Sequence, residues 1–214
     1  SAVLTMVSSL SRTSQDPVNS RRLHIIQDAV QKCKGIIEKL LVYSRTSIEN
    51  ENKVSFSQFV RASTDINQVV ADSLELLRDD FSENKILAQV QYAELPQVRA
   101  NSTQWSQAFA NILAFLRDLI KIEQTPNPFV KVSTAYKDHQ VQVEFVTNST
   151  LISKEELPRL FEPFFANSHP GLGSCFGLGL VREVVRKHNG TIEAKAAPAV
   201  GMVILITVPV EEVG

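Results

Sequence analysis

Cysteine is nearly missing from this chain: Cys33 and Cys175 are the only two in 214 residues, and they fit no metal-ligand spacing. This excludes a disulfide framework and points to a reducing compartment. No apolar run approaches the ~18 residues of a membrane span, and the start lacks a signal-peptide pattern. A cytoplasmic location and no membrane contact from this segment are therefore expected. Neither charge is in excess. The formal net charge of -1 leaves no overall field favouring nucleic acid or an acidic membrane, so no nucleic-acid partner is expected. Internal repeats are absent. What is present suits a chain that buries a real core: 43% hydrophobic and 21% charged residues, with length for one large domain or two small ones.

Hydrophobic spacing divides the chain into three parts. In residues 1–46, Val3, Met6, Val7 and Leu10 form a helical stripe, and 14-SQDPVN-19 reads as a turn. A long helix to about Ser44 then repeats Leu23, Ile26, Val30, Cys33, Ile37 and Leu40 at alternating spacings of three and four. A two-helix hairpin cannot bury so wide a stripe alone, so a dimeric four-helix bundle is the expected solution. The alternative is a hairpin packed only on its own domain. Residues 47–60 are mostly polar and read as a linker. Residues 61–214 predict helices at about 65–82, 101–120 and 177–189, with a short capped one opened by Ser153 and Glu156. Strands are expected at 86–92, 97–100, 128–135, 140–146, 191–196 and 202–209. The fold class is α+β: the hairpin, then an α/β sandwich whose mixed sheet is covered by helices on one face.

Glycine is scarce, yet four of the eight lie at 171, 173, 177 and 179, before or at the start of a helix. Such a loop lets backbone N–H groups approach an anion, and the helix dipole adds favourable potential. It is not a P-loop, because Gly-Lys-Ser/Thr is absent, and no strand stands immediately before it as a dinucleotide fingerprint requires. Upstream, 160-LFEPFF-165 gives the order aromatic-Glu-Pro-aromatic, then a loose lid, Gly-x-Gly, and a helix ending in 188-HNG-190. This order resembles the ATP-binding domain of sensor histidine kinases, which shares its fold with the gyrase and MutL ATPases. The stretch 39-KLLVYSR-45 is similar to the end of that family's second dimerisation helix, and 106-SQAFANILAFL-116 to its asparagine-motif helix. The resemblance covers essentially the whole chain.

The resemblance implies ATP and Mg²⁺ as ligands. The degenerate nucleotide pocket would be formed by Asn111, Phe115, Thr147, Gly173, Gly177, Leu178, Gly179 and Leu180. Two departures fall inside it. Where the family has Asn-x-x-x-Asn, the first residue is Asn111, but the second, implied to hold Mg²⁺, is Phe115. This phenylalanine either plugs the cavity or extends the core. Where the family has Asp-x-Gly-x-Gly, with Asp binding the adenine amino group, this chain has Thr147, Ser149 and Leu151; no Asp occurs in 139–165. A hydrogen bond to a charged group contributes ~1.5–3 kcal/mol. Two such losses would weaken Mg-ATP by roughly 10²- to 10⁴-fold if additive.

The family's phosphoacceptor run, His-Glu-x-x-x-Pro-Leu, is not found, and 1-SAVLTMVSSL-10 resembles the stretch just downstream of that run; the acceptor is expected a few residues before Ser1. No catalytic residue is therefore assigned, and Asn111 is a metal ligand only if Mg²⁺ binds. His24 lacks the acidic neighbour and proline of an acceptor, His139 is expected to be solvated, His169 lies in the lid, and His188 is expected to be structural. Cys175 is read as incidental. The functional expectation is the cytoplasmic transmitter region of a two-component sensor, a dimeric signalling module with impaired or lost ATP binding. A homodimer partner and a response regulator are implied. An active ATP-dependent protein histidine kinase and a phosphotransfer protein are the alternatives.

Overall fold

A computed structural model of the chain describes residues 62–162, 165, 172, 176–197 and 200–210. The expected hairpin at 1–46, the linker at 47–60, His24, His169, Cys33, Cys175, Gly171 and Gly173 lie outside the described residues. The short strand β1 (Ala62–Thr64) leads into helix α1 (Ile66–Leu76), whose start is fixed by Asp65 accepting from the Gln68 amide at 3.2 Å. Its buried face is Ile66, Val69, Val70 and Ser73. The serine is tolerated there because its hydroxyl donates to the Val69 carbonyl at 2.7 Å.

The single helix expected over 65–82 is two helices. At Leu77 the backbone leaves helical geometry (φ -109°, ψ 8°), and α2 (Arg78–Glu83) starts immediately after it. The break puts Leu77, Phe81 and Ile86 into the core together. Strand β2 (Leu87–Gln91) follows, then β3 (Val98–Ala100), which pairs antiparallel with β1 as a separate two-stranded sheet.

Helix α3 (Ser102–Glu123) is the centre of the domain. Trp105, Phe109, Ile112, Leu113, Leu116 and Ile120 are buried as the spacing predicts, and Ala108, Phe115 and Leu119 join them. The helix runs almost one turn past the expected end at Ile120 and stops where Gln124 adopts a left-handed conformation (φ 54°). Strands β4 (Phe129–Lys137) and β5 (Gln140–Thr147) form a hairpin. After a one-turn 3-10 helix at Leu157–Arg159 come helix α4 (Phe176–Lys187), β6 (Thr191–Ala197) and β7 (Gly201–Pro209).

The main sheet has the order β2-β4-β5-β7-β6. β2 runs parallel to β4 and every other pair is antiparallel, so the sheet is mixed. Alternation fixes the register. Val141, Val143, Phe145 and Thr147 of β5 share one face, and Met202, Ile204, Ile206 and Val208 of β7 are buried likewise. The apolar residues of these strands and the apolar sides of α1, α3 and α4 make one core. Fully burying each large side chain contributes about 1.5–3 kcal/mol.

Candidate functional site

Asn111 and Phe115 lie on α3, with α4 packed alongside at Asn111, and Thr147 ends β5. Asn111 is partly exposed. Its Nδ2 donates to the Gly177 carbonyl at 3.4 Å, and its Oδ1 accepts from Gln107 Nε2 at 3.2 Å. The two helices touch here: a Cβ on Gly177 would lie 2.8 Å from Asn111 Cγ and 3.1 Å from its Cβ. Gly177 thus has a packing requirement of its own, independent of any phosphate. Leu178 is fully buried in the core, while Gly179 and Leu180 remain half-buried on α4.

Phe115, one turn along from Asn111, is 0% exposed and belongs to the core cluster. A hard divalent cation takes oxygen ligands, and a phenyl ring offers none. Asn111 has the only metal-ligating side chain of the Asn111–Phe115 pair, and its amide is already shared between Gln107 and Gly177. These residues do not fit a resident Mg²⁺. Among the described residues, no group of three or more His, Cys, Asp and Glu is arranged to hold a metal.

Thr147 closes β5 and is 0% exposed, on the inner face in register with Phe145. The loop after it holds itself closed. Thr147 Oγ1 accepts from the Ser149 amide at 3.3 Å, and the Ser149 hydroxyl accepts from the Leu151 amide at 3.4 Å. Asn148 stitches the loop to the α3–β4 connection. Its Oδ1 accepts from the Phe129 amide at 3.1 Å, and its Nδ2 donates to the Pro126 and Asn127 carbonyls at 3.1 and 3.2 Å. Gly201 lies against it with φ +135°; a Cβ there would approach the Thr147 carbonyl oxygen to 2.3 Å, so glycine is required. A cleft of about 560 Å³ borders this loop and the β6–β7 turn, lined by Asn148, Thr150, Ser153, Lys154 and Val200 among others, but not by Asn111, Phe115 or Thr147.

Two participants carried no signal in the sequence. One is Glu123, in the unexpected last turn of α3. Its carboxylate accepts from the Thr150 amide at 3.0 Å, the Thr150 hydroxyl at 2.7 Å and the Thr125 hydroxyl at 2.8 Å. Burial pushes this carboxyl upward, but the Ser149, Thr150 and Thr125 hydroxyls and the Thr150 amide outweigh it and hold it below the usual glutamate range. The other is the partner of His188. Asn101 caps α3 by accepting from the Gln104 amide at 3.0 Å, as the motif predicts. The return bond of a capping box comes from elsewhere: the Asn101 amide donates to His188 Nε2 at 3.2 Å. With Nε2 accepting, Nδ1 is the ring nitrogen that donates to the Val184 carbonyl, at 2.8 Å. Gln104 Oε1, displaced from its capping role, is buried without a partner. His188 thus joins the start of α3 to the end of α4, the structural role expected of it.

At Ser153 only half of the expected capping box forms: the Glu156 carboxylate accepts from the Ser153 amide at 3.1 Å, but the Ser153 hydroxyl donates to that carboxylate at 2.6 Å and the Glu156 amide bonds the Ser153 carbonyl instead. The short element that follows is a one-turn 3-10 helix with Glu156 at its N-cap and Pro158, which supplies no N–H, in its first turn.

A mixed five-stranded sheet under helices, a glycine-started α4 and the α3 asparagine beside it define an ATPase-type domain of the kind found in sensor kinase transmitters. The chain belongs to the histidine kinase-, DNA gyrase B- and HSP90-like ATPase family, whose pattern matches residues 101–212. It is 28% identical over 149 residues to sensor histidine kinase ZraS of Klebsiella oxytoca, covering 69% of this chain and 31% of that protein. The mycobacterial sensor histidine kinase MprB structure matches with a TM-score of 0.61 at 28% identity, over 71% of this chain and 99% of that one. The complex of histidine kinase ThkA with response regulator TrrA matches in fold with a TM-score of 0.65 at 19% identity, over 98% of this chain and 57% of that one. The chain spans about a third of the length of the curated relatives ZraS of Klebsiella oxytoca and AtoS of Escherichia coli. Among the described residues no helix is long and apolar enough to cross a membrane.

Proposed function

We propose that this chain is the transmitter region of a two-component sensor whose ATP site has lost productive Mg-ATP binding, and that it acts as a cytoplasmic dimeric signalling module. One observation carries the reading. The two positions where the family resemblance implies a metal-binding Asn and an adenine-binding Asp hold Phe115 and Thr147, both 0% exposed. The phosphate-side residues Gly177 to Leu180 persist, and the packing of Gly177 on Asn111 accounts for the first of them without a nucleotide. A response regulator is the implied partner; ThkA, a fold relative, is found with one.

The active-kinase reading rests on the family itself, an ATPase family whose pattern covers residues 101–212. Phosphoryl transfer depends on positioning and charge stabilisation, so loss of a metal ligand harms it more than loss of a packing residue. Calorimetric titration of the purified chain with Mg-ATP separates the two. We expect no saturable binding up to about millimolar nucleotide, in line with a loss of ~10²- to 10⁴-fold. Micromolar binding refutes the proposal. Mass measurement across a concentration series tests the dimer, and a strict monomer at high concentration removes it.

A further inference from the structure

We infer that Glu123 is the positioning residue of the Thr147–Ile152 loop: its carboxylate, supplied from the last turn of α3, holds that loop in one closed conformation. The inference rests on the proposed loss of nucleotide binding only in giving the loop its meaning, as the place where adenine recognition would lie.

The loop has internal bonds at its start, from Ser149 to Thr147 and from Leu151 to Ser149, but both are long at 3.3 and 3.4 Å. Thr150, between them, bonds within neither turn. Its amide and hydroxyl both point to Glu123, which is 27 residues away in sequence. The same carboxylate takes the Thr125 hydroxyl, so it also fixes the first residues after α3. Every group that holds Glu123 is a neutral donor: the Thr150 amide and the hydroxyls of Ser149, Thr150 and Thr125. No cation faces it in this set. The cluster therefore favours the ionised carboxylate: a protonated carboxyl accepts these bonds more weakly, and its new O–H could be accepted only by a hydroxyl that now donates to it.

The folded-state carboxyl titrates below the ordinary glutamate value, so its contribution is complete above that value and is lost as pH falls through the folded one. The loop loosens in acid.

The test is amide hydrogen exchange on the intact chain without nucleotide, with rates corrected for the intrinsic pH dependence. In Glu123→Ala the Thr150 amide should exchange about ten-fold faster or more, since two bonds to a charged acceptor are gone. Amides in the centre of β5 should be little changed. Glu123→Gln should fall between wild type and alanine, and its loop protection should be flat across the acid range where wild type declines. Should Glu123→Ala fail to fold, Thr150→Val removes the 2.7 Å hydroxyl bond at constant shape and should raise exchange at Ser149 to Leu151 several-fold. Thr150 protection within two-fold of wild type in Glu123→Ala, or an acid decline preserved in Glu123→Gln, overturns the assignment. Neither outcome depends on whether Mg-ATP binds, so this inference and the nucleotide proposal fail separately.

Discussion

Gly177 offers a direct measure of what the α3–α4 contact is for. A methyl group there would meet Asn111 Cγ at 2.8 Å and Cβ at 3.1 Å, against ordinary carbon contacts of about 3.5–4.0 Å. Asn111 cannot swing away freely, because its amide is held by Gln107 and Gly177. Gly177→Ala should therefore incur an overpacking cost of about 1–3 kcal/mol. Alanine in a helix recovers about 0.5–1 kcal/mol over glycine, leaving a net destabilisation of roughly 0.5–2 kcal/mol. In an Asn111→Gly background both clashing carbons are gone, and the same substitution should stabilise by about 0.5–1 kcal/mol. The predicted coupling is thus about 1–3 kcal/mol. Urea unfolding followed by tryptophan fluorescence is the assay. Trp105 is the only tryptophan, fully buried, with ring centroids 5.3 Å from Phe109 and 5.1 Å from His188, so it reports on this layer. Equal effects of Gly177→Ala in both backgrounds, within about 0.5 kcal/mol, would falsify the packing argument. The glycine would then need another reason, such as close approach of a ligand.

The remaining predictions concern the core and the caps. Phe115→Asn should destabilise the apo protein by about 3 kcal/mol or more, because a fully buried ring is replaced by an amide. If urea unfolding shows a loss under about 1 kcal/mol, Phe115 lines open space and is not core. His188→Ala should cost about 2–4 kcal/mol, since it leaves the Asn101 amide and the Val184 carbonyl without the ring and opens a cavity beside Trp105. A thermal scan showing an unchanged midpoint would remove His188 from its linking role.

Much of the fold was legible because its signals are local. The α3 stripe is a 3.6-residue periodicity, β4, β5 and β7 alternate, and Asn101 caps the helix it precedes. The break at Leu77 was hidden because an unbroken apolar face runs across it; the turn is imposed by packing Phe81 and Ile86. The last turn of α3 escaped because Lys121, Ile122 and Glu123 continue no stripe, and Ile122 is 42% exposed. The long-range bonds were equally invisible. Glu123 meets Thr150 across 27 residues and Asn101 meets His188 across 87, and no spacing rule reaches so far. Glycine at 177 was legible as a motif, while its contact with Asn111 is tertiary.

These long-range partners change the meaning of the bland loop 147-TNSTLIS-153. A loop built to receive a ligand keeps polar groups facing it, without protein partners, until the ligand arrives. Here the Ser149, Thr150 and Leu151 amides are bonded to Thr147, Glu123 and Ser149, and the Asn148 amide group is spent on Phe129, Pro126 and Asn127. A nucleotide would have to exchange these bonds for its own, and such exchange yields little net free energy, about 0.5–1.5 kcal/mol per bond at best. The proposed loss of binding therefore has two parts that mutagenesis can separate. One is the missing metal ligand at Phe115 and the missing carboxylate acceptor at Thr147. The other is a loop already satisfied by Glu123, so restoring Asp at position 147 alone should recover less than the full contact unless Glu123 is also removed.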